Sequence, residues 1–207
     1  GMRYIRWIFG IIFLSLSAAF LHYTLPQTDI VRITNTYEKR IDFQDTEFFW
    51  ANGARDDTGN LVNRDIFFIG AFSSDGEPMV YRNEDTGWNW PPYFKFDTSN
   101  LQAQASNAEQ QSHTDEPHWV AIKHYGWRSE FLSIWPNAVS IKPVTDPDVQ
   151  WTPWLNIFIL LLLVATFWTI RVRWLRFRRR NIDPIFEQLD DVVDSAWTFI
   201  KNLFKRA

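Results

Sequence analysis

The sequence predicts an α+β membrane protein, in which a small strand-rich domain lies between two transmembrane helices and a C-terminal amphipathic helix follows. Two blocks, residues 4–23 and 151–172, are dense in apolar residues. The residues between them have mixed polarity, and about 127 residues are enough to bury one core. Within that segment, strand patterns, one helix pattern and further strand patterns follow in order. This order fits an OB-like barrel and several α+β sandwiches.

The first apolar block predicts a transmembrane helix over residues 1–23. Its most apolar stretch, Trp7–Leu21, is short for the roughly 20 residues that span a bilayer. Arg3 and Arg6 precede this stretch, which favours a cytoplasmic N-terminus. The small residues at 17–19 also suit cleavage of a signal peptide, so removal of the segment is the alternative.

Residues 151–172 predict a second transmembrane helix, which Pro153 can begin and which tryptophans flank at the headgroup level. An arginine-rich juxtamembrane segment, residues 173–181, comes next. Such basic clusters stay on the cytoplasmic side and bind anionic lipid. We therefore expect both termini in the cytoplasm and residues 24–150 in the periplasm, in the inner membrane of a bacterium. The arginines expected at the membrane surface are Arg171, Arg173, Arg176, Arg178, Arg179 and Arg180.

The charge and cysteine content of the extramembrane segment exclude several functions. Residues 24–151 hold ten Lys or Arg and nineteen Asp or Glu, a net charge of −9. An acidic surface argues against nucleic acid as a partner. The chain has no cysteine, which excludes disulfides, thiolate metal sites and a cysteine nucleophile. We expect no cofactor.

Alternation of apolar and polar residues predicts the strands of the domain. Asp29–Thr36 reads as a half-buried strand, and Asp65–Phe72, a Ser74–Gly76 turn and Pro78–Arg82 form a hairpin. Residues 51–64 are rich in turn formers and are predicted to form an exposed loop.

One helix and two late strands complete the domain. Ser99 and Gln102 have the spacing of a capping box, which predicts a helix from Ser99 to about Gln111. His118–Tyr125 and Ala138–Lys142 are predicted to be strands.

The tail, residues 182–207, predicts an amphipathic helix that begins with Asp183 as N-cap and Pro184 as first residue. One interpretation is a helix that lies on the inner leaflet. The other is a docking helix for a partner or a second copy, because its acidic face gains little from anionic lipid.

Two aromatic motifs, Tyr81–Phe96 and His124–Ala138, are the most distinctive parts of the chain. In these motifs the sequence resembles the uncharacterised bacterial membrane proteins of domain-of-unknown-function family 1523. The resemblance covers most of the chain, from the first span through the arginine run. The resemblance implies a membrane-anchored ectodomain. It implies no activity, substrate or catalytic residue.

These motifs also supply the candidate binding residues. Rigid aromatic-proline segments and arginine suit recognition of a protein or an envelope ligand. The alternative is that the aromatic residues pack in the core and that Arg128 pairs with Glu84 or Asp85. The candidates are Arg82, Trp88, Trp90, Tyr93, Tyr125, Trp127 and Arg128.

We predict no catalytic residue, because no P-loop, dinucleotide motif, zinc helix or nucleophile elbow is present. The leading hypothesis is a non-enzymatic accessory or scaffold subunit with a protein partner or a homo-oligomeric state. An envelope hydrolase is the alternative, and it requires Arg128, His124, Glu84 and Asp85 to converge in one accessible pocket.

Metal or small-ligand binding is the third hypothesis. Asp115 and Glu116 lie among the histidines and could add oxygen ligands, but the spacing does not favour a metal site. His118 and His124 would lie about 20 Å apart on one strand, too far to share an ion. We expect the histidines at 113, 118 and 124 to be exposed loop residues. Asp56, Thr58 and Asn60 resemble the start of a calcium loop, but the glycine and glutamate that such a loop needs are missing.

Overall fold

The computed structural model describes residues 2–41, 64–114 and 118–184, together with Ser195 and Trp197. The chain forms two compact units, Gly1–Thr152 and Pro153–Ala207. The predicted α+β class is confirmed. The elements are α1 (Met2–Thr24), β1 (Gln27–Ile41), β2 (Arg64–Ser73), β3 (Pro78–Asn83), α2 (Thr98–Ser112), β4 (Trp119–Tyr125), β5 (Asn137–Val144) and α3 (Trp154–Phe177).

The five strands form a closed barrel in the order β1-β2-β3-β5-β4. Strand β1 is longer than predicted, and its length allows it to pair with two neighbours. Residues 27–31 are antiparallel to β4, and residues 31–41 are antiparallel to β2. Parallel strands β3 and β5 meet where Arg82 lies opposite Asn137. The choice between a barrel and a sandwich, which the sequence left open, is thereby decided for a barrel.

The predicted hairpin of β2 and β3 is confirmed. Gly76 adopts a φ of +81°, a left-handed conformation that glycine tolerates well. Its N–H donates to the Ser73 carbonyl at 3.0 Å, and the Ser73 N–H donates to the Glu77 carbonyl at 3.0 Å. The predicted loop at 51–64 lies outside the described residues except for Arg64, which begins β2.

The core fills the barrel and extends under α2. Alternate residues of each strand point inward, as the period of two requires. Alanines on the inner face of α2 allow the helix to approach the strands closely. The fully buried members include Val31, Ile33, Ile69, Tyr81, Leu101, Ala105, Val120, Ile122 and Ala138.

The capping box predicted for α2 is wrong. The helix begins one residue earlier, at Thr98, and its flanking residue Asp97 makes no side-chain capping bond. Instead, Asp85 of the preceding loop accepts from the Thr98 backbone N–H at 2.9 Å and from its hydroxyl at 2.7 Å. Gln102 accepts a hydrogen bond from Asn83. A residue distant in sequence therefore satisfies the helix terminus.

Two helices are long and apolar enough to cross a membrane. They span Tyr4–Thr24 and Trp154–Ile182, and no side chain in their most apolar windows is buried. This finding is compatible with a membrane protein. The second helix runs beyond the predicted end at residue 172, because α3 and a π-helical turn, Arg178–Ile182, continue through the arginine-rich segment.

The predicted start of the tail helix at Asp183 is wrong. Asp183 has helical dihedral angles, φ −57° and ψ −42°, so the helix from α3 continues through this position. Its carboxylate accepts from Arg178 Nε at 3.1 Å. Most of the predicted amphipathic helix, residues 182–207, lies outside the part of the chain that the structure describes.

Candidate functional site

The end of α1 is bound directly to the barrel. The Gly126 N–H donates to the Tyr23 carbonyl at 2.9 Å, and the Tyr93 hydroxyl donates to the Thr24 carbonyl at 2.6 Å. Carbonyl groups in the last turn of a helix lack intrahelical partners. Loops of the barrel supply these partners, so hydrogen bonds hold α1 against the barrel in addition to the covalent connection of the chain.

Aromatic rings surround the same joint. Trp90 stacks on Phe20 with ring centroids 5.7 Å apart. Trp127 meets Tyr23 edge-on at 5.3 Å, and its Nε1–H donates to His22 Nδ1 at 3.1 Å. We call the following six side chains the aromatic junction: Phe20, Tyr23, Trp90, Tyr93, Tyr125 and Trp127.

A buried ion pair lies beneath the junction. Arg82 pairs with Glu84, and both side chains are almost fully inaccessible to solvent. Arg82 Nε also donates to the Trp135 carbonyl at 2.9 Å. Asn137 accepts from the Glu84 N–H at 2.9 Å and donates to both the Glu84 carbonyl and the Tyr125 hydroxyl. This network holds the end of β3 against the start of β5.

Lys95 is a second buried cation in the same region. Its ammonium donates to the Asn83 side-chain oxygen and, at 2.7 Å, to the Ala138 carbonyl. Burial lowers the pKa of the Lys95 ammonium to about 8, although Asp85 and Asp97 act in the opposite direction. The position of Lys95 fixes the loop between β3 and α2 on the barrel.

A third polar cluster joins β1, β3 and β4. Asp29 lies 2.9 Å from His124 Nε2 and accepts from the Tyr81 hydroxyl at 2.6 Å. Burial acts to raise the pKa of the Asp29 carboxyl, but His124, Tyr81 and Arg128 outweigh burial and the pKa is lowered. Burial and the Asp29 charge raise the pKa of Tyr81. The Arg128 guanidinium lies 5.0 Å from the centre of the Tyr81 ring.

A groove of about 520 Å³ lies between α2 and the strands β4 and β5. It lies toward the start of β4 and the end of β5, whereas the α1 contacts lie at the opposite ends of these strands. Its rim is formed by amides and its floor by apolar side chains, and none of its lining residues is Asp, Glu, Lys or Arg. The lining residues are Gln104, Asn107, Ala108, Gln111, His118, Val120, Ile141 and Pro143.

Comparison with known proteins identifies a family. The family described as "Protein of unknown function (DUF1523)" matches residues 2–178. The chain belongs to the DUF1523 family. An uncharacterized protein of Haemophilus influenzae (strain ATCC 51907 / DSM 11121 / KW20 / Rd) is 35% identical over 164 residues, which cover 79% of this chain and 88% of the relative. No solved structure matches the chain. The resemblance noted in the sequence is thus confirmed.

The candidate binding residues of the DUF1523 protein fall into two groups. Arg82 and Tyr125 are buried, and Tyr93 and Trp127 are in contact with the end of α1. Trp88, Trp90 and Arg128 have exposed side chains. The structure gathers four of the seven, Trp90, Tyr93, Tyr125 and Trp127, at the aromatic junction, while Arg128 lies in the Asp29 cluster.

The acids and the histidine of the hydrolase hypothesis belong to different clusters in the DUF1523 structure. His124 pairs with Asp29, Glu84 pairs with Arg82, and Asp85 binds the start of α2. The expectation that His124 is an exposed loop residue is wrong, since it is 4% exposed within β4. The period of β4 directs it toward Tyr81, where an aromatic ring and a carboxylate accommodate it.

The other histidines give no metal site in the described residues of the DUF1523 protein. His113 is exposed after α2, and His118 lines the groove. No three His, Asp or Glu residues of the described ranges are placed to hold one ion. Asp115 and Glu116, as well as the calcium-like residues Asp56, Thr58 and Asn60, lie outside those ranges.

Sequence reasoning missed the buried polar residues Asn83, Lys95 and Asn137 of the DUF1523 chain. Each lies at the end of a strand or in a loop, where polar residues are normally exposed. The one available signal was Lys95 between two phenylalanines, and it does not indicate burial. The six arginines predicted at the membrane surface are placed on α3 and the turn after it, and all six are exposed.

Proposed function

We propose that this protein is a non-enzymatic accessory or scaffold subunit of the bacterial inner membrane, whose barrel binds a protein partner in the periplasm. The barrel has a helix between its third and fourth strands, and this arrangement supports an OB-like fold. Two apolar helices of sufficient length support two spans. The arginines that follow the second span support cytoplasmic termini.

Retention of α1 is part of this proposal. The helix is continuous from Met2 to Thr24, and its last turn is bound to the barrel by Gly126 and Tyr93. An anchor held in this way keeps the barrel at the membrane surface. The intact mass of the protein purified from membranes tests retention, because cleavage at residues 17–19 would remove about 2 kDa, the mass of that many residues at about 0.11 kDa each.

The observation that carries the proposal is the groove beside α2. Its amide rim can both donate and accept hydrogen bonds, and its floor is apolar. The segment that contains it has a net charge of −9, so a concave surface without charge is distinctive there. A pocket of this size and composition suits an uncharged, partly apolar segment of a partner.

The test compares two arginine substitutions on one helix. Gln111 lines the groove, whereas its neighbour Gln110 is exposed on α2 and does not. The full chain, Gln111→Arg and Gln110→Arg are each purified from membranes in mild detergent. We expect a stoichiometric partner with the wild type and Gln110→Arg and its loss with Gln111→Arg. A homomeric preparation of the wild type, or equal retention by both variants, would contradict the proposal.

The division of polar residues between clusters favours binding over hydrolysis. A hydrolase needs its acid, base and substrate-binding cation around one accessible point. Here Arg128 and His124 lie in the Asp29 cluster, whereas Glu84 pairs with Arg82 and Asp85 binds the start of α2. The four residues of the hydrolase hypothesis therefore do not converge on one point. The candidate residues Trp88, Trp90 and Arg128 are exposed and lie outside the groove.

A further inference from the structure

Two loops at the α1 end of the barrel expose large apolar side chains. Loop 84–97 joins β3 to α2, and loop 126–136 joins β4 to β5. Phe131 is 95% exposed, Trp88 82% and Trp90 63%. The surfaces of soluble proteins rarely expose several such residues side by side unless a partner binds there. The exposed apolar residues of the two loops are Trp88, Trp90, Phe94, Phe96, Phe131 and Leu132.

Both loops are fixed to α1 at its last turns. Trp90 stacks on Phe20, which precedes the helix end at Thr24 by four residues. At 1.5 Å per residue, Phe20 lies about 6 Å from that end along the helix axis. The contacts of Trp127 with His22 and Tyr23 bring the second loop to the same level.

The chemistry of the loops suits the interface of a lipid bilayer. Tryptophan and other aromatic rings are favoured at the headgroup level, where one part of the side chain is apolar and another is polar. Trp88 contacts Phe94 and Phe96 edge-on, with centroids 5.5 and 5.6 Å away, so these rings form one apolar cluster. The charged Lys95 of this loop is directed into the barrel, so it adds no charge beside these rings.

We propose that loops 84–97 and 126–136 insert into the interface of the same leaflet that α1 enters, so that the barrel rests on the membrane. The partner of this surface is lipid. The inference rests on the proposed function, because it requires α1 to be a span. Its physical basis is continuity: only Leu25 and Pro26 separate α1 from β1, and the loops contact α1 below its end.

Because the chain has no cysteine, single nitroxide labels can be placed on the full protein. The variants are Trp88→Cys, Phe131→Cys, Phe13→Cys in α1 and Gln110→Cys near the end of α2, beside the groove and opposite the α1 contacts. Each site is exposed, so the substitutions leave the core intact. The proteins are reconstituted into phosphatidylethanolamine–phosphatidylglycerol vesicles. Power-saturation spectroscopy then compares collisions with oxygen, which partitions into lipid, and with a water-soluble nickel chelate.

We expect oxygen to dominate at positions 88, 131 and 13, and nickel to dominate at position 110. Nickel-dominated collisions at 88 and 131, with oxygen still dominant at 13, would overturn the inference and leave the span intact. Low accessibility of 88 and 131 to both reagents would also overturn it, since a second copy of the chain would then cover the loops. Nickel dominance at position 13 would instead refute α1 as a span, and with it the proposed function.

Discussion

Replacing Arg82 by methionine is expected to destabilise the barrel by about 3–5 kcal/mol, the usual cost of removing one member of a buried ion pair. Arg82 is 2% exposed and Glu84 6%, so water cannot replace the guanidinium beside the carboxylate. The variant also loses the hydrogen bond from Arg82 Nε to the Trp135 carbonyl, which contributes about 1 kcal/mol. The loss is therefore concentrated where β3 meets β5.

Denaturant unfolding of the full chain in detergent, followed by near-ultraviolet circular dichroism, measures this effect. Arg128→Met is the matched control, because Arg128 is exposed over the Tyr81 ring and such a contact contributes about 0.5–1 kcal/mol. Adding Glu84→Gln to Arg82→Met is expected to recover part of the loss, since no carboxylate then loses its counter-ion. Equal unfolding midpoints for Arg82→Met and Arg128→Met would refute the reasoning.

Three further predictions concern the loops of the barrel. Folded Lys95 is neutral above a pKa of about 8, whereas the unfolded side chain keeps its proton to about pH 10.5. The free energy of unfolding should therefore rise between these pH values, by at most about 1.4 kcal/mol per pH unit. Unfolding curves of Lys95→Met should lack this rise. Gly126→Ala should lower the midpoint of thermal unfolding, because Gly126 has a φ of +99° that alanine adopts only with strain of about 1–3 kcal/mol. Gly76→Ala is the control: it lies in an exposed turn with open space around the new methyl, so it measures the cost of a positive φ alone. Tyr93→Phe removes the hydrogen bond to the Thr24 carbonyl and should lower the free energy of unfolding by about 1 kcal/mol in the same assay. An unchanged midpoint would mean that other contacts hold the end of α1.

The strands and the hairpin could be predicted from the sequence because their signals are local. The alternation in β1 and the Ser-Asp-Gly turn each depend on neighbouring residues, and the structure has both. The length of β1 could not be predicted in the same way. Its outer residues are strand because β2 and β4 pair with them, and those partners are distant in sequence.

The errors have a common physical origin in contacts between distant residues. The spacing of Ser99 and Gln102 predicted a local cap for α2, but the Asp85 carboxylate accepts the hydrogen bond from the first helical N–H instead. His124 looked exposed because a lone histidine in a polar sequence usually is, whereas Asp29 accommodates it within the barrel. Three-dimensional partners overrode the local preference in both places.

For the candidate site, residue types could be predicted but not their arrangement. The aromatic motifs indicated an unusual surface, and the structure divides them between the junction with α1 and two exposed loops. No pattern in the sequence shows that Trp90 meets Phe20, because 70 residues separate them. The groove was not predicted either, since it combines α2 with the two last strands.

The double pairing of β1 has a consequence for the order of folding. Its first residues pair with β4, so Gln27 can pair only after His124, almost 100 residues later in the chain, has been synthesised. Contacts between such distant residues slow folding, because a long loop has to close before they form. During synthesis of the chain, β2 and β3 can pair first, while one edge of β1 stays unpaired. Closure of the barrel is therefore expected to be the last step, and the newly made chain would aggregate most readily while this edge is unpaired.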